Sequence, residues 1–291
     1  MPRIIVTLDT EMDADVKWKK RKPISYSSIL EGIPKIYRPV WDKYDICPIY
    51  FVSPEVVMDE ACCRVLRNEI SKGAIIGAHL HPEYIEPEKG RVGEIEIEKF
   101  PCFGYPYKIE KAKLKNLKEL IIKKLGVNPV WYRAARFGAD EDTIKILEEL
   151  GFKYDSSFTP YINWTSKGGP DHSNTPIKAY DIPNSKIREF PVTILGKRWG
   201  KLGELLPNNW LFYKWLRPTH MTYLEEKYLI DKLVSDNVND IVMMFHSMEI
   251  MINKTPYVRN GIMQKYYLWR LEKTIEYAQK RGYVSYRLEE V

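Results

Sequence analysis

The stretch Gly73-Ala74-Ile75-Ile76-Gly77-Ala78-His79-Leu80-His81-Pro82-Glu83 opens as a short apolar run and ends in two imidazoles. The run reads as a buried strand. Residues i and i+2 of a strand point to the same face, so His79 and His81 project side by side. Pro82 has no N–H for a ladder, and the strand stops there. Two parallel imidazoles at a strand end suit one divalent ion, zinc above all. The plain alternative is a pair of hydrogen-bonded loop histidines.

Upstream, residues 3–8 form a β-branched run, a first strand, and Asp9-Thr10-Glu11 follows at its end. Residues 29–44 carry apolar side chains at helical spacing, interrupted by Pro34 and Pro39. A second strand covers 47–52. Ser53 and Pro54 then have the form of an N-cap and first helical position, for a helix running toward Ser71 and stopped by Gly73.

Downstream, residues 108–125 predict an amphipathic helix stopped by Gly126. A strand at 129–133 follows, and Asp140 caps a helix that ends before Gly151. Further strands are read at 152–155, 187–193, 240–245 and 283–286, and helices at 222–234 and 262–280. Thr222 and Glu225 have capping-box spacing. The rings of Trp199, Trp210, Phe212, Tyr213 and Trp215 read as a hydrophobic plug over a barrel end, with sugar stacking as the other use. Strands alternating with helices argue for a parallel sheet with covering helices. About eight strands in one domain spanning 1–291, with loop insertions near 82–107 and 156–220, fit a barrel or barrel-like closure better than an open sheet.

The chemistry-bearing residues gather at one end of these strands. Asp9 and Glu11 follow the first, and His79 and His81 the third. Arg133 and Arg136 follow the fourth, Asp155 ends the fifth and His246 the seventh. That rim is where barrels of this type build their sites.

The 291 residues are 44% hydrophobic and 29% charged, the balance of a globular chain rather than a disordered one. The net charge of +6 is spread out, with basic residues alternating with Glu as on a solvated helix face. That argues against a nucleic-acid partner. The one basic cluster, Lys17-Trp18-Lys19-Lys20-Arg21-Lys22, reads as an exposed loop. No apolar stretch is long enough to cross a membrane, and no signal segment is read at the N-terminus. Cys47, Cys62, Cys63 and Cys102 contain no CxxC and read as reduced thiols of a cytoplasmic protein.

The ordered set of motifs resembles the NodB-homology polysaccharide deacetylases (carbohydrate esterase family 4), in a divergent WalW-like branch. The pieces are Thr7-Leu8-Asp9-Thr10-Glu11, Gly77-Ala78-His79-Leu80-His81-Pro82, Tyr132-Arg133-Ala134-Ala135-Arg136-Phe137-Gly138, Gly151-Phe152-Lys153-Tyr154-Asp155-Ser156-Ser157, and Met243-Met244-Phe245-His246-Ser247 with Thr255-Pro256-Tyr257. The resemblance implies a distorted (β/α) barrel of about seven strands and metal-dependent removal of an acyl group from an amino sugar. It implies Asp9 as base, Arg133 as the arginine that orients it, and His246 as acid. Glu11, His79 and His81 become the ligands of a divalent metal, most simply Zn²⁺. Asp9 and Glu11 are open to exchanging roles, because the family's second aspartate is Thr10 here. The family's two histidines also stand four apart, not two. Arg136 and Asp155 are assigned to substrate, with a carboxylate partner and a plain turn as their respective alternatives. Two rivals stand beside this reading: another metallohydrolase, of PHP phosphoesterase or amidohydrolase type, and a carbohydrate-binding pseudoenzyme. His172 and His220 are left outside the site.

Overall fold

The computed structural model describes residues 1–20, 22–89, 105–196 and 213–288. Its centre is β1 (Arg3–Thr10), which pairs in parallel with β10 (Asp240–His246) on one side and β2 (Ile49–Val52) on the other. Beyond β2 come β3 (Ile75–Leu80), β4 (Trp131–Ala134), β5 (Tyr154–Asp155), β7 (Arg188–Glu189) and β6 (Tyr180–Asp181), the last antiparallel. β11 (Val284–Ser285) adds to the start of β1. A separate hairpin joins β8 (Ile194–Leu195) to β9 (Lys214–Trp215).

This is a curled half-barrel of mixed sheet. Irregular chain rather than a strand bridges its open side. Val242 N donates to Thr193 Oγ1 at 2.8 Å, and Leu216 N donates to the Thr193 carbonyl at 2.9 Å. The expected strand at 187–193 is therefore only two residues long, because its remainder bonds across the opening.

Seven helices flank the sheet among the described residues: α1 (Arg38–Tyr44), α2 (Pro54–Met58), α3 (Glu60–Ser71), α4 (Tyr107–Leu125), α5 (Glu141–Glu149), α6 (Tyr223–Ser235) and α7 (Gly261–Lys280). A π-helical segment, Ser28–Tyr37, leads into α1, with Pro34 inside it. Asp140 and Thr222 cap α5 and α6 as read from sequence, the latter with a full capping box. Ser53 does not cap. Its hydroxyl turns to the Thr10 carbonyl and to Glu55 Oε1, and Asp59 caps α3 instead, so one expected helix is two.

Strand parity divides the core. Ile4, Val6 and Leu8 of β1 face the helices with Tyr50, Ile76 and Tyr132. Ile5 faces the concave interior with Phe51, Ile75, Trp131 and Val242. Continuing the inner parity along each strand gives Asp9, His79, Arg133 and His246. The register makes Asp9 level with His246 and His79 level with Arg133.

Of the expected ring plug, Trp199, Trp210 and Phe212 lie outside the described residues. Trp215 is buried with Val192, Ile194 and Met244. Cys102 and most of the 82–107 excursion also lie outside them. Cys47, Cys62 and Cys63 are buried free thiols. No described helix is long and apolar enough to cross a membrane.

Candidate metal centre

Glu11, His79 and His81 converge at the C-terminal end of β1 and β3, and all three are buried. Glu11 Oε1 lies 3.3 Å from His79 Nε2 and 3.3 Å from His81 Nε2. Ligand atoms around a tetrahedral ion bonded at about 2.0–2.1 Å stand about 3.3 Å apart, the spacing of Glu11 Oε1 from each imidazole, and all three ligand atoms lie within 4.8 Å of one another.

The outer nitrogens fix the ring orientations. His79 Nδ1 lies 2.9 Å from the Arg133 carbonyl, which only accepts, so that nitrogen carries the proton. His81 Nδ1 lies 2.9 Å from Glu83 Oε1. Both arrangements turn Nε2 inward, the pattern by which a carbonyl or carboxylate sets a metal-binding imidazole. His81 Nε2 is buried with no hydrogen-bond partner. A divalent ion would satisfy that atom, and two imidazoles with a carboxylate are a donor set that could hold one.

Burial pushes the Glu11 carboxyl upward, but the Lys20 ammonium and His81 outweigh it and hold Glu11 well below the usual carboxylate range. Burial pulls His81 the other way. Glu11 and Glu83, one on each side, overcome that and push it up to about 10.

Asp9 sits next to this group on the inner parity of β1. Arg133 Nη1 donates to Asp9 Oδ1 at 2.8 Å and to Thr7 Oγ1 at 2.9 Å. The same guanidinium donates to the Ser156 carbonyl and hydroxyl, and its flat face covers the Phe51 ring at 4.3 Å. Burial raises the Asp9 carboxyl, and Arg133, His79 and His246 together bring it below its ordinary value.

His246 completes the rim. Its Nε2 is 3.6 Å from Glu11 Oε1, and its Nδ1 is 3.3 Å from Glu249 Oε1. Glu249 also accepts from the His246 backbone N–H, so the histidine caps the short turn Ser247–Ile250 and stays aimed at the centre. Burial raises Glu249, but Arg217 and His246 bring it down to about 2. The imidazole is the most open of the group, and Trp18 packs on it with ring centroids 5.1 Å apart.

The two residues assigned to substrate are placed differently. Arg136 is exposed, in a left-handed backbone conformation, and adds positive potential near Glu83. Asp155 has no exposure at all. It is level with Tyr132, on the opposite parity from Arg133, and accepts from Ser157 Oγ at 2.6 Å. Thr10 points away from the centre and donates to the Leu8 carbonyl. His172 is buried against Phe158 and Thr159, and His220 meets the Tyr257 hydroxyl at 3.2 Å.

Lys20, Glu83, Arg217 and Glu249 belong to the centre and were not singled out from sequence. Glu249 lies three residues after His246, the i,i+3 spacing that would have pointed to it. The others carry no such local signal.

No protein-family model matches the chain, and no curated protein matches it in sequence. Solved structures do. A polysaccharide deacetylase described as putative, from Mycobacterium smegmatis, is similar over 99% of this chain and 94% of its own, at 15% identity and a TM-score of 0.54. A GH57 branching enzyme from Thermococcus kodakaraensis is similar over 98% of this chain and 69% of its own, at 12% identity and a TM-score of 0.51. The family 4 carbohydrate esterase from Streptomyces lividans is similar over 98% of this chain and 91% of its own, at 8% identity and a TM-score of 0.46. On the likeness to the Mycobacterium smegmatis structure, the fold is the α/β fold of the NodB-like polysaccharide deacetylases.

Proposed function

We propose that a chain with this fold and this centre is a metal-dependent deacetylase, in the WalW-like branch, which removes an N-acyl group, most simply acetyl, from an amino sugar or glycan precursor. The observation that carries the reading is the Glu11–His79–His81 cluster beside an arginine-held aspartate and a carboxylate-held histidine.

Glu11, His79 and His81 would hold the divalent ion, most simply Zn²⁺. Bound there, it would supply Lewis acidity toward the amide carbonyl and make a water acidic enough to attack. Asp9 takes the proton of that water. Arg133 fixes the carboxylate for that task by a charge-assisted bond and keeps it ionised at neutral pH. His246 gives a proton to the departing nitrogen as the C–N bond breaks, so the products are a carboxylate and a free amine. Glu249 orients that imidazole, with its Oε1 3.3 Å from His246 Nδ1. Trp18 and Tyr257 wall the side on which His246 is open.

Acetyl release from N-acetylated sugars, measured beside metal content, tests the proposal. Activity that disappears with a chelator and returns with Zn²⁺ supports it. Full turnover by metal-free protein refutes it. Thr10, which stands where the family has a second carboxylate, favours one second reading, a carbohydrate-binding protein without turnover. Sugar binding with no acetyl release from any metal-loaded preparation would select that reading.

A further inference from the structure

Within the basic segment Lys17 and Lys19 are exposed, but the chain turns so that Lys20 comes back onto the end of β1. Asp15 Oδ1 accepts from the backbone N–H of Lys17 and of Lys19, and Asp15 N donates to the Lys19 carbonyl. Ala14 and Lys20 then pair across an isolated antiparallel bridge. Asp13, at the root of the turn, accepts from the hydroxyls of Ser25 and Ser27 and is 3.3 Å from Lys254 Nζ. A turn anchored this way delivers Lys20 to a fixed place. Its Nζ donates to Glu11 Oε2 at 2.8 Å and to the Met12 carbonyl at 2.5 Å, with the side chain 18% exposed.

Glu11 therefore has its two oxygens committed in opposite directions. Oε1 faces both His Nε2 atoms, and Oε2 faces an ammonium. We propose that Lys20 is a positioning residue of the metal site: it occupies Glu11 Oε2, restricts Glu11 to one bond with the ion, and weakens metal binding. The inference rests on the reading of Glu11, His79 and His81 as ligands.

The physical case has two parts. A carboxylate free at both oxygens can bind a cation with two, filling a position that water or substrate needs. An ammonium already on Oε2 prevents this and leaves the centre open, as catalytic zinc sites are. The ammonium also repels a dication only a few ångströms away, at a distance too short for salt to screen.

Zn²⁺ affinity of the full chain, read by competition with a chromophoric chelator, tests this without reference to turnover. Lys20→Met is expected to bind Zn²⁺ about tenfold or more tightly than wild type. With Co²⁺ in place of Zn²⁺, its visible bands should weaken as the coordination number rises. Lys20→Arg should keep the wild-type affinity and spectrum, and Lys20→Gln serves if the Met variant misfolds by circular dichroism. Unchanged or weaker binding in folded Met and Gln variants overturns the inference. If wild type itself binds no Zn²⁺, the functional reading falls with it. If wild type binds one ion and the variants behave alike, only this inference falls.

Discussion

Arg133 on β4 reaches Asp9 on β1 across the concave face of the half-barrel, with Nη1 to Oδ1 at 2.8 Å and no exposure of the arginine. Its remaining donors go to Thr7 and Ser156, so one guanidinium ties β1, β4 and the end of β5 at the floor of the metal centre.

Arg133→Met should therefore cost about 3–5 kcal/mol, since it leaves a buried carboxylate unpaired. Urea denaturation at neutral pH measures the loss. Asp9 is lower in the folded chain than its ordinary value. Its stabilising contribution is present above that ordinary value and is lost as pH falls through the folded value. The gap between variant and wild type should accordingly narrow in acid.

Asp9→Asn and Glu11→Gln separate the base from the ligand. Asn at position 9 should lower kcat for acetyl release by about 10²–10⁴-fold with Zn²⁺ binding intact. Gln at position 11 should lose Zn²⁺ binding itself. The reverse pattern, read by the same two assays, would exchange their roles.

His81, held between Glu11 and Glu83, is pushed up from an ordinary 6.5 to about 10 in the metal-free chain. A folded value above the unfolded one stabilises fully below 6.5 and is lost as pH rises toward 10. Thermal denaturation of metal-free protein should thus show stability falling across that window. Zinc loading near pH 7.5 must displace the proton, so calorimetry in buffers of different ionisation enthalpy should find about one proton released per ion.

Gly77→Ala tests the packing beneath the site. A Cβ there would stand 2.5 Å from the Phe51 ring and 3.2 Å from Trp131 Cβ. Phe51 in turn lies under the Arg133 guanidinium. The expected cost is about 1–3 kcal/mol by denaturation, with kcat reduced because Arg133 is displaced.

The sequence was most legible where the signal is local. Strand runs that end in polar pairs located Asp9, Glu11, His79, His81, Arg133 and His246, because period-two alternation and a common sheet end suffice to bring them together. In the basic cluster Lys17, Lys19 and Lys22 are exposed as its composition suggests, but Lys20 turns in to Glu11 from a tight turn held by Asp15, a placement that leaves no periodicity. Asp155 shares the strand-end position but not the parity, and with only two paired residues β5 gave no alternation from which to tell. Ser53 had the right type for a cap, yet the buried Thr10 carbonyl and Glu55 competed for its hydroxyl.

The central claim is that Glu11, His79 and His81 bind one cation. A crystal grown with Zn²⁺, with anomalous scattering collected on both sides of the zinc edge, tests it most directly. The account predicts one strong peak about 2.0–2.2 Å from His79 Nε2, His81 Nε2 and Glu11 Oε1. Zinc bound elsewhere on the chain, with no peak within bonding distance of these three side chains, would contradict it.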